Sequence, residues 1–502
     1  VDGAPRVACV TPVRRLQGRR VTTLESLPGD GAAEWAEALV ATGGSQCGFC
    51  TPGIVMRLAA LAPEPAGRGH GSAAATAASE KVGQALVAHV CRCTGWQTIE
   101  EAASLVYQRS PGSDPSAGPA RDLAAASARA ELEGGVPQQV GADVVMGRAG
   151  FADDTCPPDA LVAVPDGLGG HAVAESVAAA RALAGKVQGR STSAALSHPI
   201  AVPPGAWTVG LRTTWVEPAY VEPDASWCVP GGVPASPYGN GGAFGGKLHS
   251  PVATDARRLA DEHGRPVRVL WSREDVVRYG PKRPPVAGGI DAGGAGVLRV
   301  GITAGEVTGE QWASVSARAA AVAPGLVLEQ VALSGPPISF DLRAAVWAEA
   351  AVLAAAARLS APDGHGPRHD VPVEVVGPSG GRAVARCGPD GSIELSVDAG
   401  PPLDEVVLRS YCIGAAHQAL GWVRSEGIAV DADGEVHDLT VRSFGILQAR
   451  AMPQVTVRIG SASAAGPVNG SDAAFAAVAA ARWLADGLAP EWPLDRGGAG
   501  RR

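Results

Sequence analysis

The chain has 502 residues, a formal net charge of −8 and an apolar fraction of 46%. That length allows about three domains with sizeable cores, and an acidic balance without a basic block argues against nucleic acid or an anionic membrane surface as partner. No apolar run reaches spanning length and no signal-peptide pattern opens the sequence, so the nine cysteines read as cytoplasmic thiols and cluster ligands rather than a disulfide frame.

Residues 1–28 alternate as strands do, over 6–10 and 20–24, behind an Asp2-Gly3 turn signal. From 29 to 108 the pattern is helical. Trp35, Leu39 and Val40 share one stripe, Ile54, Val55, Leu58 and Leu61 a second, Val82, Leu86 and Val90 a third, and Ile99, Ala102, Leu105 and Val106 a fourth. Four such helices predict a small bundle, with a Gly/Ala/Ser-rich surface loop at 63–78 that carries His70.

Two cysteine pairs punctuate this bundle: Gln46-Cys47-Gly48-Phe49-Cys50-Thr51-Pro52-Gly53, then Cys91-Arg92-Cys93-Thr94-Gly95. Each pair stands at the threshold of a helix, and Pro52 suits a first helical turn. Backbone N–H groups free at a helix start can donate to anionic sulfur, which a thiolate-bound iron cluster needs. Four cysteines also satisfy structural zinc. The helix-start setting, and the single residue between Cys91 and Cys93, favour [2Fe–2S] over zinc.

The two motifs resemble the helical [2Fe–2S] domain of the xanthine dehydrogenase family, the molybdenum hydroxylases, with Trp96 where that family has tyrosine. The resemblance implies that Cys47, Cys50, Cys91 and Cys93 hold one cluster and that Gln46 and Cys93 touch a pterin. It also makes residues 1–28 similar to the tail of a plant-type ferredoxin domain, with Cys9 at the fourth-ligand position. The other three ligands would lie upstream of Val1 or in a companion chain, so a second cluster is incomplete here. A small buried residue is the plainer reading of Cys9.

Residues 109–139 read as a linker, Pro/Gly/Ser-rich at 110–119, and 140–502 as a shortened molybdenum-cofactor region of two subdomains. Within it, 238–247 carries five glycines, which leave backbone N–H groups unshielded. Gly241 to Lys247 matches half of a P-loop, but Leu248 stands where Ser or Thr must hold Mg²⁺. By resemblance this is the family's loop over the molybdenum centre, so Gly241, Gly242, Gly245 and Gly246 would cradle the cofactor and Phe244 would line the substrate side. An amphipathic helix over 252–263 and a strand over 267–271 follow.

Strand alternation is expected over 296–335 and 370–398, with a helix over 341–359 on which Arg343 and Glu349 face solvent. A helix over 404–423 carries His417, read as capped or solvated, and Gln418, which resembles the family's cofactor-reaching glutamine. Strands are expected at 436–441 and 455–459 about a turn at 431–434. At 466–475, Asp472 aligns with the family's catalytic glutamate, although Ser471 or Asp472 could equally cap the helix that follows.

The resulting expectation is an α+β chain: a four-helix [2Fe–2S] bundle after a partial ferredoxin-like β segment, then a mixed α/β molybdopterin-binding region. The resemblance implies hydroxylation of an aldehyde or N-heteroaromatic, purine-like carbon of a small-molecule substrate, using molybdopterin in its plain or cytosine dinucleotide form. Electrons would leave through the cluster to a FAD-binding subunit or other acceptor, in an assembly that includes homo-oligomers. The alternative is a non-catalytic iron–sulfur electron-transfer or scaffold subunit, and a zinc-binding module stands behind both.

Overall fold

In the computed structural model the described residues are all except 62–79, 109–120, 186–195, 198–199, 237–240, 304, 306, 361–365, 431–435, 437–440, 442–443, 461–465 and 496–502. His70, the 63–78 loop, the 110–119 stretch and the 431–434 turn therefore lie outside the described residues, as does most of the 436–441 strand.

Helices Gly31–Thr42, Thr51–Ala59 and Gln97–Gln108, with a helical turn at 80–85, enclose one apolar cluster built on Trp35, Leu39, Ile54, Leu58, Leu86 and Ile99. These are the stripe residues, so helical spacing alone put them inside. The strands expected in residues 1–28 do not form. Three short 3₁₀ turns, Ala8–Val10, Val13–Arg15 and Leu24–Ser26, take their place, and Val7, Val10, Val13 and Val21 stay exposed. A strand needs a partner ladder, and none of the described residues offers one to this segment.

Three four-stranded sheets make up the rest, each of mixed direction. The first orders 171–174, 161–165, 267–270 and 225–228, and is covered by the Val252–His263 helix. The second orders Val209–Arg212, Val286–Ile290, Gly296–Thr303 and Leu326–Leu333. Between its last two strands runs a helix, Gly309–Val322, where only strands were expected. The capping box of Thr308 and Gln311 starts it, a local signal that the alternation on either side masked. The third sheet comprises 373–376, 382–387, 393–398 and 455–460.

The core sits where three helices meet: Trp347–Leu359, Glu405–Arg424 and Ser471–Ala485. All are buried nearly all round, which is why their sequences show small or apolar residues on every face rather than a stripe. Alanine lets helices approach closely, and Trp422 stacked on Phe475 at 5.1 Å fills the remaining gap. Glu349 is fully buried, not solvent-facing: it pairs with Arg283 at 2.8 Å through both carboxylate oxygens. A buried carboxylate needs such a partner, and only the fold supplies it.

Residues Leu123–Gly134, within the stretch read as a linker, form a helix capped by Asp122. Its Arg129 donates to the carbonyls of Pro401, Pro402 and Val468, and its Glu133 accepts from the backbone N–H of Ser471. This short element, whose Ala126 and Ala130 pack in the bundle's apolar cluster, is one of the ties between the helical bundle and the three-helix core. No helix among the described residues is long and apolar enough to cross a membrane.

Candidate iron–sulfur centre and the neighbouring polar site

Cys50 is the residue preceding the Thr51–Ala59 helix, and Pro52 occupies its first turn. Cys91 and Cys93 lie in the turn ahead of Gln97–Gln108. Cys47, Cys91 and Cys93 are buried and Cys50 half-buried. The thiols pair across the two motifs: Cys93 Sγ lies 3.6 Å from Cys47 Sγ, and Cys50 donates to Cys91. Two thiolates on one tetrahedral metal with metal–sulfur bonds of ~2.3 Å stand about 3.8 Å apart. The Cys47–Cys93 spacing therefore fits one iron on that pair, and a two-iron cluster needs a second pair, for which Cys50 and Cys91 are the other two thiols of the motifs.

The hydrogen bond donated by the Cys50 thiol, with help from Thr94, lowers the Cys91 pKa to about 6. Donating raises Cys50 and Cys93, and burial raises them further. A metal cation would replace the thiol protons of Cys50 and Cys93, whose pKa values burial and donation raise. Cys9 has a side chain outside the described residues.

The 91–93 turn is gripped from both sides. Gln46 donates to the Cys93 carbonyl at 3.1 Å and to Ser410 Oγ at 2.9 Å. A Cβ at Gly414 would collide with the Cys93 carbonyl oxygen, so only glycine lets the 405–424 helix come so near. From the opposite side the glycine loop descends. A Cβ at Gly242, whose φ is +86°, would meet Arg92 Cβ at 2.6 Å and Cys93 Sγ at 3.4 Å. Gly241, Gly242 and Gly246 are buried and Gly245 half-buried. Several loop carbonyls are occupied within the chain, Gly241 by the Val221 N–H and Phe244 by the Arg343 N–H.

Phe244, Gln418 and Asp472 come together, and the residue that joins them is Arg343, which the sequence pattern sends to solvent. Arg343 is 4% exposed. It precedes the Trp347–Leu359 helix, in a strap where Arg343, Ala344 and Val346 all have positive φ. Its guanidinium lies 3.9 Å from the Phe244 ring centroid, donates to Gln418 Oε1 at 2.9 Å and to Ser471 Oγ at 3.0 Å, and faces Asp472 at 3.6 Å. Phe244 also meets Tyr411 edge to face. Gln418 donates onward to the Arg92 carbonyl at 3.0 Å. A lone arginine ahead of an alanine-rich helix carries no sequence signal for any of this.

Neither Ser471 nor Asp472 caps the last helix. Asn469 Oδ1 accepts from the Asp472 N–H, and Glu133 from that of Ser471. Loss of water raises the Asp472 pKa and Arg343 opposes that rise. His417 is fully buried rather than solvated, its Nε2 on the Leu447 carbonyl at 2.9 Å.

Two buried polar atoms here lack a hydrogen-bond partner: Gln46 Oε1, an acceptor, and Arg343 Nη2, a donor. That pair of unmet groups around a glycine loop matches the hydrogen-bonding capacity of a pterin. The crevices beside Gln46 and beside Phe244–Gly245 hold about 10 Å³ each. A larger cavity, about 700 Å³, opens beside Cys47 between the 123–134 helix and residues 149–152.

Comparison with known proteins agrees with this picture. Residues 23–104 match the [2Fe-2S] binding domain family. The xanthine dehydrogenase of Blastobotrys adeninivorans is 33% identical over 106 residues, 21% of this chain and 7% of that protein. A probable xanthine dehydrogenase subunit of Bacillus subtilis (strain 168) is 30% identical over 115 residues, 22% of this chain and 60% of that protein. The aldehyde oxidoreductase of Desulfovibrio gigas superposes with a TM-score of 0.65 at 14% identity, over 99% of this chain and 94% of that one, which shows a shared fold. The first of these sequence matches spans less than a tenth of the relative's length.

Proposed function

We propose that this chain, a member of the molybdenum hydroxylase family by its iron–sulfur domain and its fold, is an oxidoreductase subunit that passes electrons through one [2Fe–2S] cluster during oxidation of an aldehyde or N-heteroaromatic carbon. The pairing of Cys47 with Cys93 at 3.6 Å carries the reading. When bound, the cluster takes and returns single electrons while the molybdopterin supplies the two-electron oxidation of substrate. Cys47 and Cys93 would hold one iron, Cys50 and Cys91 the other. Gln46 Oε1 and Arg343 Nη2 are the groups with capacity to orient the pterin, beside Gly241, Gly242, Gly245, Gly246 and Gln418. Asp472 is the base, its carboxylate kept ionised by Arg343 and made more basic by loss of water.

One observation favours the second reading, an electron-transfer or scaffold subunit without hydroxylase chemistry. Arg343 already neutralises Asp472 and sits where Phe244 and Gln418 converge. The likeness to a protein named as a subunit supports a multi-subunit assembly, with a flavin protein or other acceptor as partner. Metal analysis of the purified chain separates the readings. Two irons with stoichiometric molybdenum support the first, two irons without molybdenum support the second, and zinc without iron overturns both.

A further inference from the structure

A cavity of about 210 Å³ lies between the cluster loop and the sheet that contains 225–228 and 267–270. Its walls are aromatic. Phe49, the residue before Cys50, meets Phe151 edge to face at 5.5 Å, and Trp271 faces the same space. Its floor is acidic, with Glu222 and Asp224, and Asp154 stands at its exposed rim. Glu222 is 4% exposed and Asp224 fully buried. They share one cation: Lys247 Nζ stands 2.5 Å from Glu222 and 3.7 Å from Asp224 Oδ1. Five carboxylates and one arginine, Arg181, line the cavity among the described residues.

Two buried carboxylates share the one ammonium in direct contact with them, with Arg273 acting on Asp224 from further off, and holding both ionised out of water is costly. Burial accordingly pushes Glu222 up to about 7, against the pull of Lys247, and raises Asp224 as well. Asp224 Oδ2 accepts from Tyr220 and Ser250 at 3.0 Å each, but its Oδ1 accepts no hydrogen bond. Trp271, more than nine-tenths buried, has an indole N–H without an acceptor. The wall of one cavity thus holds an unused acceptor, an unused donor, more carboxylates than cationic side chains, and aromatic faces. A divalent metal would answer the charge and ignore the rings and the indole N–H. An organic cation answers all of them.

We infer that this cavity binds a small organic ammonium ion bearing a hydrogen-bond acceptor, with its nitrogen against Asp224 and Glu222, its acceptor on Trp271 and its body against the paired rings of Phe49 and Phe151. Phe49 lies within the cluster motif, so occupancy is felt at the iron centre. The inference stands apart from the hydroxylase reading and holds whether or not molybdenum is present.

The test is calorimetric titration of the iron-loaded full chain with tyramine, beside its neutral isostere tyrosol and its anionic counterpart 4-hydroxyphenylacetate. Tyramine binds at least about tenfold more tightly than either. Asp224→Asn weakens it by a similar factor, Trp271→Phe by a smaller one, and tyramine alters the electron paramagnetic resonance of the reduced cluster. If Asp224→Asn does not fold, Asp154→Asn at the exposed rim lowers tyramine affinity about threefold. Equal binding of tyrosol or the acid, no tyramine binding up to ~10 mM, or displacement of tyramine by Mn²⁺ overturns the assignment.

Discussion

Arg92 and Glu426, 334 residues apart, form a two-point ion pair at 2.5 and 2.7 Å, with side chains only 6% and 2% exposed. Arg92 stands between Cys91 and Cys93, and Glu426 just beyond the 405–424 helix. The cluster turn is therefore fixed to the large core by an ion pair on its side chain, as well as by Gln46 and Gln418 on its carbonyls.

Breaking that pair should cost more than any surface ion pair. Removing one partner of a buried pair leaves the other charge stranded, at about 3–5 kcal/mol. Glu426→Ala is expected to lower unfolding stability by that amount in a denaturant titration, with Glu426→Gln intermediate. A loss below about 1 kcal/mol would mean that Arg92 finds water or another acceptor.

Cys91→Ser should abolish the visible absorbance of the cluster and reduce bound iron to background, while Cys156→Ser changes neither. Cys156 is a half-buried thiol hydrogen-bonded to the neighbouring Pro157 carbonyl. Iron retained at full stoichiometry in Cys91→Ser would remove that thiol from the ligand set.

Asp472→Asn should lower turnover at least about tenfold at unchanged iron and molybdenum content. Arg343 holds the carboxylate ionised against loss of water, so Arg343→Leu should raise the Asp472 pKa further. The acid limb of the pH–rate profile then moves to higher pH. A limb that stays in place would assign the titrating group elsewhere.

His417 makes a separate, pH-dependent contribution to stability. Burial lowers its pKa from 6.5 to about 4. The unfolded chain thus takes up a proton that the folded chain refuses, so stability is intact above about pH 6.5 and falls as pH drops toward 4. At about 1.4 kcal/mol per unit the loss amounts to ~3 kcal/mol. His417→Gln, which keeps an N–H for the Leu447 carbonyl, should flatten that slope in thermal melts across the same range.

The sequence by itself pointed to the four candidate cluster cysteines. Each pair, Cys47 with Cys50 and Cys91 with Cys93, is close in the chain and its motif includes the proline and glycines that shape the turns, while the packing of the helical stripes brings the two pairs together. The sequence also determined the buried stripes of the bundle and the 252–263, 405–424 and 455–460 elements, whose periodicity is local. Only the tertiary structure decided the rest. The alternation in residues 1–28 found no partner strand, and a capping box turned 309–322 into a helix between two strands. Arg343, Glu349 and His417 sit on or beside helices that are buried all round, where a polar residue shows no face to solvent. Whether such a group is buried depends on a counter-charge or carbonyl supplied from far along the chain: Asp472 for Arg343, Arg283 for Glu349, Leu447 for His417. Helical spacing reports which side of a helix is apolar, and it carries no information about a partner supplied by another element.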